Sequence, residues 1–169
     1  MANMDQSKIE LISVYKANQA LSEMVALFRV ELRSFKGIVS KPNVDAGREE
    51  MEEYLAAGFP VFAAVIDGQY AGYVVCRVDS EVVWVESIFV KEEYRRHGVA
   101  AALHSKAEEI AASYGDDTVY NYVHPNNHRM IEFLRKRGYT VLNLIEIRKP
   151  YQGEKLTQVI QVGDHKFDY

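Results

Sequence analysis

Val82-Val83-Trp84-Val85-Glu86-Ser87-Ile88-Phe89-Val90 runs directly into Lys91-Glu92-Glu93-Tyr94-Arg95-Arg96-His97-Gly98-Val99-Ala100. Beyond that point Val99, Leu103, Ala107, Ile110 and Tyr114 fall on one helical face. The first run is too apolar to keep one wet face, which predicts a strand placed centrally in a sheet. The period then changes to that of a helix beginning near Gly98 and ending about Gly115. A buried strand, a short basic loop and a helix N-terminus therefore follow one another without a break.

That junction has a physical bias. The first backbone N–H groups of a helix have no partner within it, and the helix dipole places partial positive charge there, so anions are attracted. Gly98 and Ala100 keep side chains short where a phosphate must approach the main chain, while Arg95, Arg96 and His97 add charge. A pyrophosphate is the ligand that fits this pattern. The chain has no Gly-x-x-x-x-Gly-Lys-Ser/Thr run and no Gly-x-Gly-x-x-Gly after its first strand, which sets aside the two commonest nucleotide loops. Six residues alone are equally compatible with a solvated turn, so the context has to decide.

Working outward, Ile9 to Val14 predicts a first strand, and Leu21, Val25, Phe28, Leu32 and Phe35 an amphipathic helix. Lys36 to Val44 reads as a loop, followed by a charged helix through Met51, Tyr54 and Leu55 that stops at Gly58-Phe59-Pro60. Val61 to Ile66 and Tyr70 to Val78 flank Asp67-Gly68, the signature of a hairpin with a tight primed turn, and Asp79-Ser80 makes a second turn. After the central strand and helix come a strand over Val119 to Val123 and a short helix over Asn127 to Arg137 closed by Gly138. Thr140 to Arg148 and, after the Pro150-Tyr151-Gln152-Gly153 turn, Leu156 to Val162 predict two further strands. The class is α/β, and residues 1–169 read as a single domain.

Composition narrows the function. With 48% apolar and 26% charged residues the chain is an ordinary globular protein, with no case for disorder. A net charge of −4 argues against a nucleic-acid partner and mildly favours a cationic one. The single cysteine, Cys76, has no internal disulfide partner, no apolar stretch is long enough to cross a bilayer, and the polar opening Met1 to Gln6 has no apolar signal core. A cytoplasmic protein with no membrane association is expected. His97, His104, His124, His128 and His165 show no ligand spacing, so no metal is expected.

Arg95-Arg96-His97-Gly98-Val99-Ala100, after a strand ending Ile88-Phe89-Val90, resembles the signature of the GNAT superfamily of N-acetyltransferases: Gln or Arg, two residues, Gly, one residue, then Gly or Ala. Asn127, Met130, Phe133, Lys136, Gly138 and Tyr139 match the family's later helix. The resemblance implies a GNAT-like α+β fold, with a mixed, mostly antiparallel central sheet of about seven strands, splayed at a cofactor cleft and flanked by about four helices. It implies acetyl-CoA as co-substrate and direct transfer of acetyl to a primary amine. Main-chain groups of Ile88, Phe89 and Val90 would pair with pantetheine, while Arg95, Arg96, His97, Gly98, Val99, Ala100 and Ala101 would hold the pyrophosphate. Asn127 would bond near the cysteamine end.

An amine is protonated at neutral pH and needs a base before it attacks a thioester. Glu86 is the candidate: it interrupts an apolar strand, where a charge is costly unless met or opened to solvent, and it resembles the strand glutamate of many family members. The alternative for Glu86 is a residue at a bulge that recognises a cationic acceptor or pairs with an arginine. The family often uses a tyrosine as general acid where this chain has Leu134, leaving Tyr120, Tyr122, His124, Tyr139 or solvent to protonate the thiolate. The acceptor is either a small polyamine or aminoglycoside-like amine, or a protein amine. A homodimer is compatible with this reading, and a non-catalytic acyl-CoA-binding module is the competing one.

Overall fold

Asp67 and Gly68 both adopt left-handed backbone, with φ of 50° and 76°, and this primed turn joins β2 (Val61–Ile66) to β3 (Gln69–Asp79). The twist of such a turn matches that of the strands it connects. The same device recurs with less usual residues at Ser80 and Glu81, φ 51° and 67°, leading into β4 (Val82–Val90). The computed structural model describes residues 8–169; the polar opening Met1 to Gln6 lies outside them. Contacts divide the chain into two units, residues 1–124 and 125–169.

In the first unit the sheet order is β1-β2-β3-β4-β5, with β1 (Glu10–Ser13) antiparallel to β2 and β5 (Tyr120–Asn121) parallel to β4. Three helices belong to it: α1 (Gln19–Ser34), α2 (Val44–Ala56) and α3 (Val99–Ser113). Asn18 caps α1 by accepting from Leu21 N at 2.9 Å, and its amide donates to Tyr70 Oη at 3.1 Å, tying the helix start to β3. Leu21, Met24 and Val25 of α1 and Met51 of α2 are fully buried against Ala63, Tyr73, Val75 and Phe89 of the sheet. Each such side chain contributes about 1.5–3 kcal/mol through apolar burial. The other helix, α3, buries Val99, Leu103, Ala107 and Ala111; the expected Tyr114 is half-exposed at the helix end.

The second unit holds α4 (His128–Lys136) and a separate hairpin of β6 (Val159–Val162) and β7 (His165–Asp168). Among the described residues the mixed, mostly antiparallel sheet and the four helices are as expected, and the seven strands divide five and two. Thr140 to Arg148 is a correction: it forms no strand, and Val141, Leu142, Leu144 and Ile147 are exposed. Its β-branched and apolar residues suit a pleated surface, but that preference acts only against a neighbouring strand, and none pairs here among the described residues. The last expected strand shortens to Val159–Val162 and gains β7 as its partner, and the expected Val119 to Val123 shrinks to two paired residues.

Candidate active site

Between β4 and α3 the chain makes a 3₁₀ turn at Glu92–Tyr94, and then Arg96 and Gly98 take positive φ of 64° and 81°. Gly98 is the N-cap of α3 and makes no side-chain cap. A Cβ there would meet nothing nearer than Ile9 Cδ1 at 3.9 Å, so glycine is favoured by its left-handed backbone and not by lack of space. The first intrahelical bond is Ala102 N to Gly98 O, 3.0 Å, which leaves the amides of Val99, Ala100 and Ala101 without a partner inside the helix. Arg96, His97 and Gly98 are exposed beside them.

Arg95 is engaged elsewhere. Its Nε donates to Val90 O at 2.9 Å, its Nη2 pairs with Glu31 Oε1 of α1 at 3.2 Å, and its guanidinium lies 5.6 Å from the Phe89 ring. It therefore fixes the loop to the end of β4 and to α1, while the Arg96 guanidinium and the His97 ring face solvent.

The edge of β4 is shaped by register. Lys91 N donates to Ala71 O at 2.9 Å, and antiparallel alternation then turns the main-chain groups of Phe89 toward β3 and those of Ile88 and Val90 away from it. Arg95 reaching Val90 O agrees with that parity. Pairing with β5 is confined to Trp84 with Tyr120 and Val85 with Asn121, so Glu86 to Val90 have no strand on that side among the described residues. At Asn121, the last paired position, Oδ1 lies 3.1 Å from Nε2 of the fully buried His104 of α3.

A register shift sets Val75 opposite Ser87 but Cys76 opposite Val85, so Glu86 is the extra residue of a bulge. Its Oε2 lies 3.1 Å from Arg77 Nε, and both side chains are about 30% exposed. Next to it the Ser87 hydroxyl is 2.8 Å from Tyr73 Oη in the core. Burial raises the Tyr73 phenol far above its ordinary range, so it stays protonated.

Of the other candidates for proton delivery, Tyr120 packs on Trp84, Tyr122 is exposed, and His124 stacks on Phe35 with ring centroids 6.0 Å apart. Burial and the Lys36 charge lower the His124 pKa. Asn127, Leu134 and Tyr139 belong to the second unit; there Asn127 caps α4, accepting from Met130 N at 3.2 Å, and Leu134 is buried.

A cavity of about 480 Å³ lies beside the loop, lined by Leu27, Val30 and Glu31 of α1 together with Phe89, Lys91 and Arg95. Helical periodicity alone does not place α1 at this end of β4. The available signal was Leu27, an apolar residue off the buried stripe, followed by Glu31 one turn later.

Over residues 24–139 the chain matches the family model described as the Acetyltransferase (GNAT) family. The chain belongs to that family. The match runs across the boundary between the two units. Among solved structures, the chain resembles an aminoglycoside acetyltransferase, AAC(6')-Iy, in complex with a bisubstrate analogue of CoA, at 22% identity and a TM-score of 0.62, covering 86% of this chain and 100% of that one. A GNAT-family acetyltransferase from Staphylococcus aureus MU50 aligns at 19% identity and TM-score 0.58, covering 78% and 84%. An aminoglycoside acetyltransferase from an uncultured soil metagenomic sample, in complex with sisomicin, aligns at 15% and 0.59, covering 85% and 96%. These likenesses establish the GNAT fold. No helix among the described residues is long and apolar enough to cross a membrane.

Proposed function

We propose that this GNAT enzyme transfers an acetyl group from acetyl-CoA to a primary amine by direct attack. The observation that carries this is the continuity of residues 86–101: a bulged carboxylate, an unpaired strand edge and a bare helix N-terminus follow one another. The residues fit the co-substrate. The amides of Val99, Ala100 and Ala101, with Gly98 keeping the approach open, Arg96 adding charge and His97 a ring N–H donor, suit a diphosphate, while Arg95 fixes the loop. The outward main-chain groups of Ile88 and Val90 suit an amide-bearing arm laid along β4 in the manner of an added strand.

When bound, acetyl-CoA supplies the thioester whose carbonyl is attacked. Glu86 takes the proton from the incoming ammonium, directly or through a water molecule, and so frees the attacking lone pair. Outward N–H groups of β4 stabilise charge developing on the carbonyl oxygen. With Leu134 at the family's tyrosine position, the departing thiolate takes its proton from solvent or from Tyr120, Tyr122, His124 or Tyr139. Catalysis rests chiefly on orientation of two substrates.

The acceptor is a small polyamine or aminoglycoside-like amine, or an amine of a protein. The net charge of −4 and the aminoglycoside enzymes among the structural likenesses support a cationic small molecule, and the lone, buried Cys76 supports a cytoplasmic setting. Incubation with acetyl-CoA and a panel of amines, followed by free-thiol release, tests the proposal. Release with at least one amine is expected; binding of CoA without release from any amine would instead favour the non-catalytic acyl-CoA-binding module that the apolar Leu134 suggests.

A further inference from the structure

Arg77 and Trp84 are cross-strand partners on β3 and β4, and the bulge places Glu86 beside them. The Arg77 guanidinium carbon lies 4.4 Å from the Trp84 ring centroid and 6.0 Å from that of Tyr122, and Tyr120 lies 5.5 Å from Trp84. Two aromatic faces and a carboxylate thus surround one positive charge, the arrangement that recognises organic cations. Here the cation belongs to the chain itself.

Its tie to the carboxylate is incomplete. Arg29 donates to Glu50 through both Nε and Nη2, and Arg148 grips both oxygens of Glu154. Arg77 Nε comes within 3.1 Å of Glu86 Oε2, yet that buried atom makes no hydrogen bond. Lying over Trp84, the guanidinium does not present its fork to Glu86. A partly exposed ion pair without a hydrogen bond contributes little to stability and yields readily to a competitor.

We propose that Arg77 is a displaceable placeholder in the acceptor site, occupying the position that the ammonium or guanidinium group of a cationic acceptor takes during the reaction. The entering ammonium displaces Arg77 from Trp84 and Glu86. One N–H bond then breaks, its proton forms an O–H bond on Glu86, and the nitrogen lone pair is left to attack. The consequence for catalysis rests on the acetyl-transfer reading; the cation site does not.

Trp84 is the single tryptophan of the chain, so its fluorescence reports directly on what covers the ring. The test titrates the parent and Arg77→Met proteins with 1,4-diaminobutane. A saturable emission change in Arg77→Met is expected, with a midpoint about tenfold or more below the parent's, because the internal competitor is gone. The KM for an amine acceptor should fall by a similar factor while that for acetyl-CoA stays put. If Arg77→Met does not fold, Arg77→Gln carries the same comparison. Equal midpoints in parent and folded variant, or no saturable response in the variant, would overturn the placeholder. Thiol release with an unchanged amine KM would overturn it while leaving the acetyltransferase intact. Saturable, Arg77-dependent binding without thiol release from any amine would uphold the cation site and sink the acetyl-transfer reading.

Discussion

A carboxylate among valines costs free energy unless its charge is met, and at Glu86 the bulge and Arg77 meet it together. Replacing Glu86 with Gln keeps the shape and removes the base. Steady-state kinetics should show kcat lowered about a hundredfold or more, with the KM for acetyl-CoA little changed. A rate within threefold of the parent at every pH would contradict the role. Cys76 shows the opposite case: full burial pushes its thiol up to about 12 from 9.0. It should resist iodoacetamide at pH 8 in the native protein and react fully once unfolded, as read by mass spectrometry. Glu86 was legible in the sequence because it breaks an apolar run. A bulge and an arginine partner were among the readings of Glu86, but that the arginine is Arg77 was not legible, because pairing across a hairpin depends on where the register shifts.

At the scale of elements, α1 and α2 meet at Gly47, where a Cβ would fall on the Ser22 carbonyl oxygen and within 3.0 Å of Ala26 N. Both obstacles are backbone, so Gly47→Ala must push the helices apart. Chemical denaturation should show a loss of about 1–3 kcal/mol. Gly98→Val places a β-branched residue at φ 81° and should cost about 1–2 kcal/mol, while weakening CoA binding through the altered approach to the α3 amides. The strand, loop and helix around Gly98, and the Asp67-Gly68 hairpin, were legible because period and turn chemistry are local. Thr140 to Arg148 misled for the converse reason: its apolar residues match a strand, but forming one needs an edge to pair with. The β6–β7 hairpin hid β7, since His165 to Asp168 is short and polar. Which end of β4 α1 meets was hidden too, because packing of a helix against a strand end depends on tertiary placement.

For the molecule as a whole, stability should be bounded on both sides by titratable groups whose pKa the fold shifts. Below the ordinary His pKa of 6.5 the unfolded chain protonates His124 before the folded one does, so stability falls as the pH drops. Above about 9 the unfolded chain loses the Cys76 proton that the folded state retains, so stability falls as the pH rises toward 12. Tyr73 and Tyr54, both raised chiefly by burial, extend that alkaline loss. Melting temperatures across pH 5 to 11 should therefore peak between these limits, with a shallower acid side in His124→Gln. The most direct test of the central claim, that residues 96–101 clasp a diphosphate on a loop fixed by Arg95, is a calorimetric titration of CoA into the parent and Gly98→Val proteins. Saturable one-site binding, weakened about tenfold or more in the variant, is the predicted result; absence of binding to the folded parent, or equal affinity in both proteins, would contradict it.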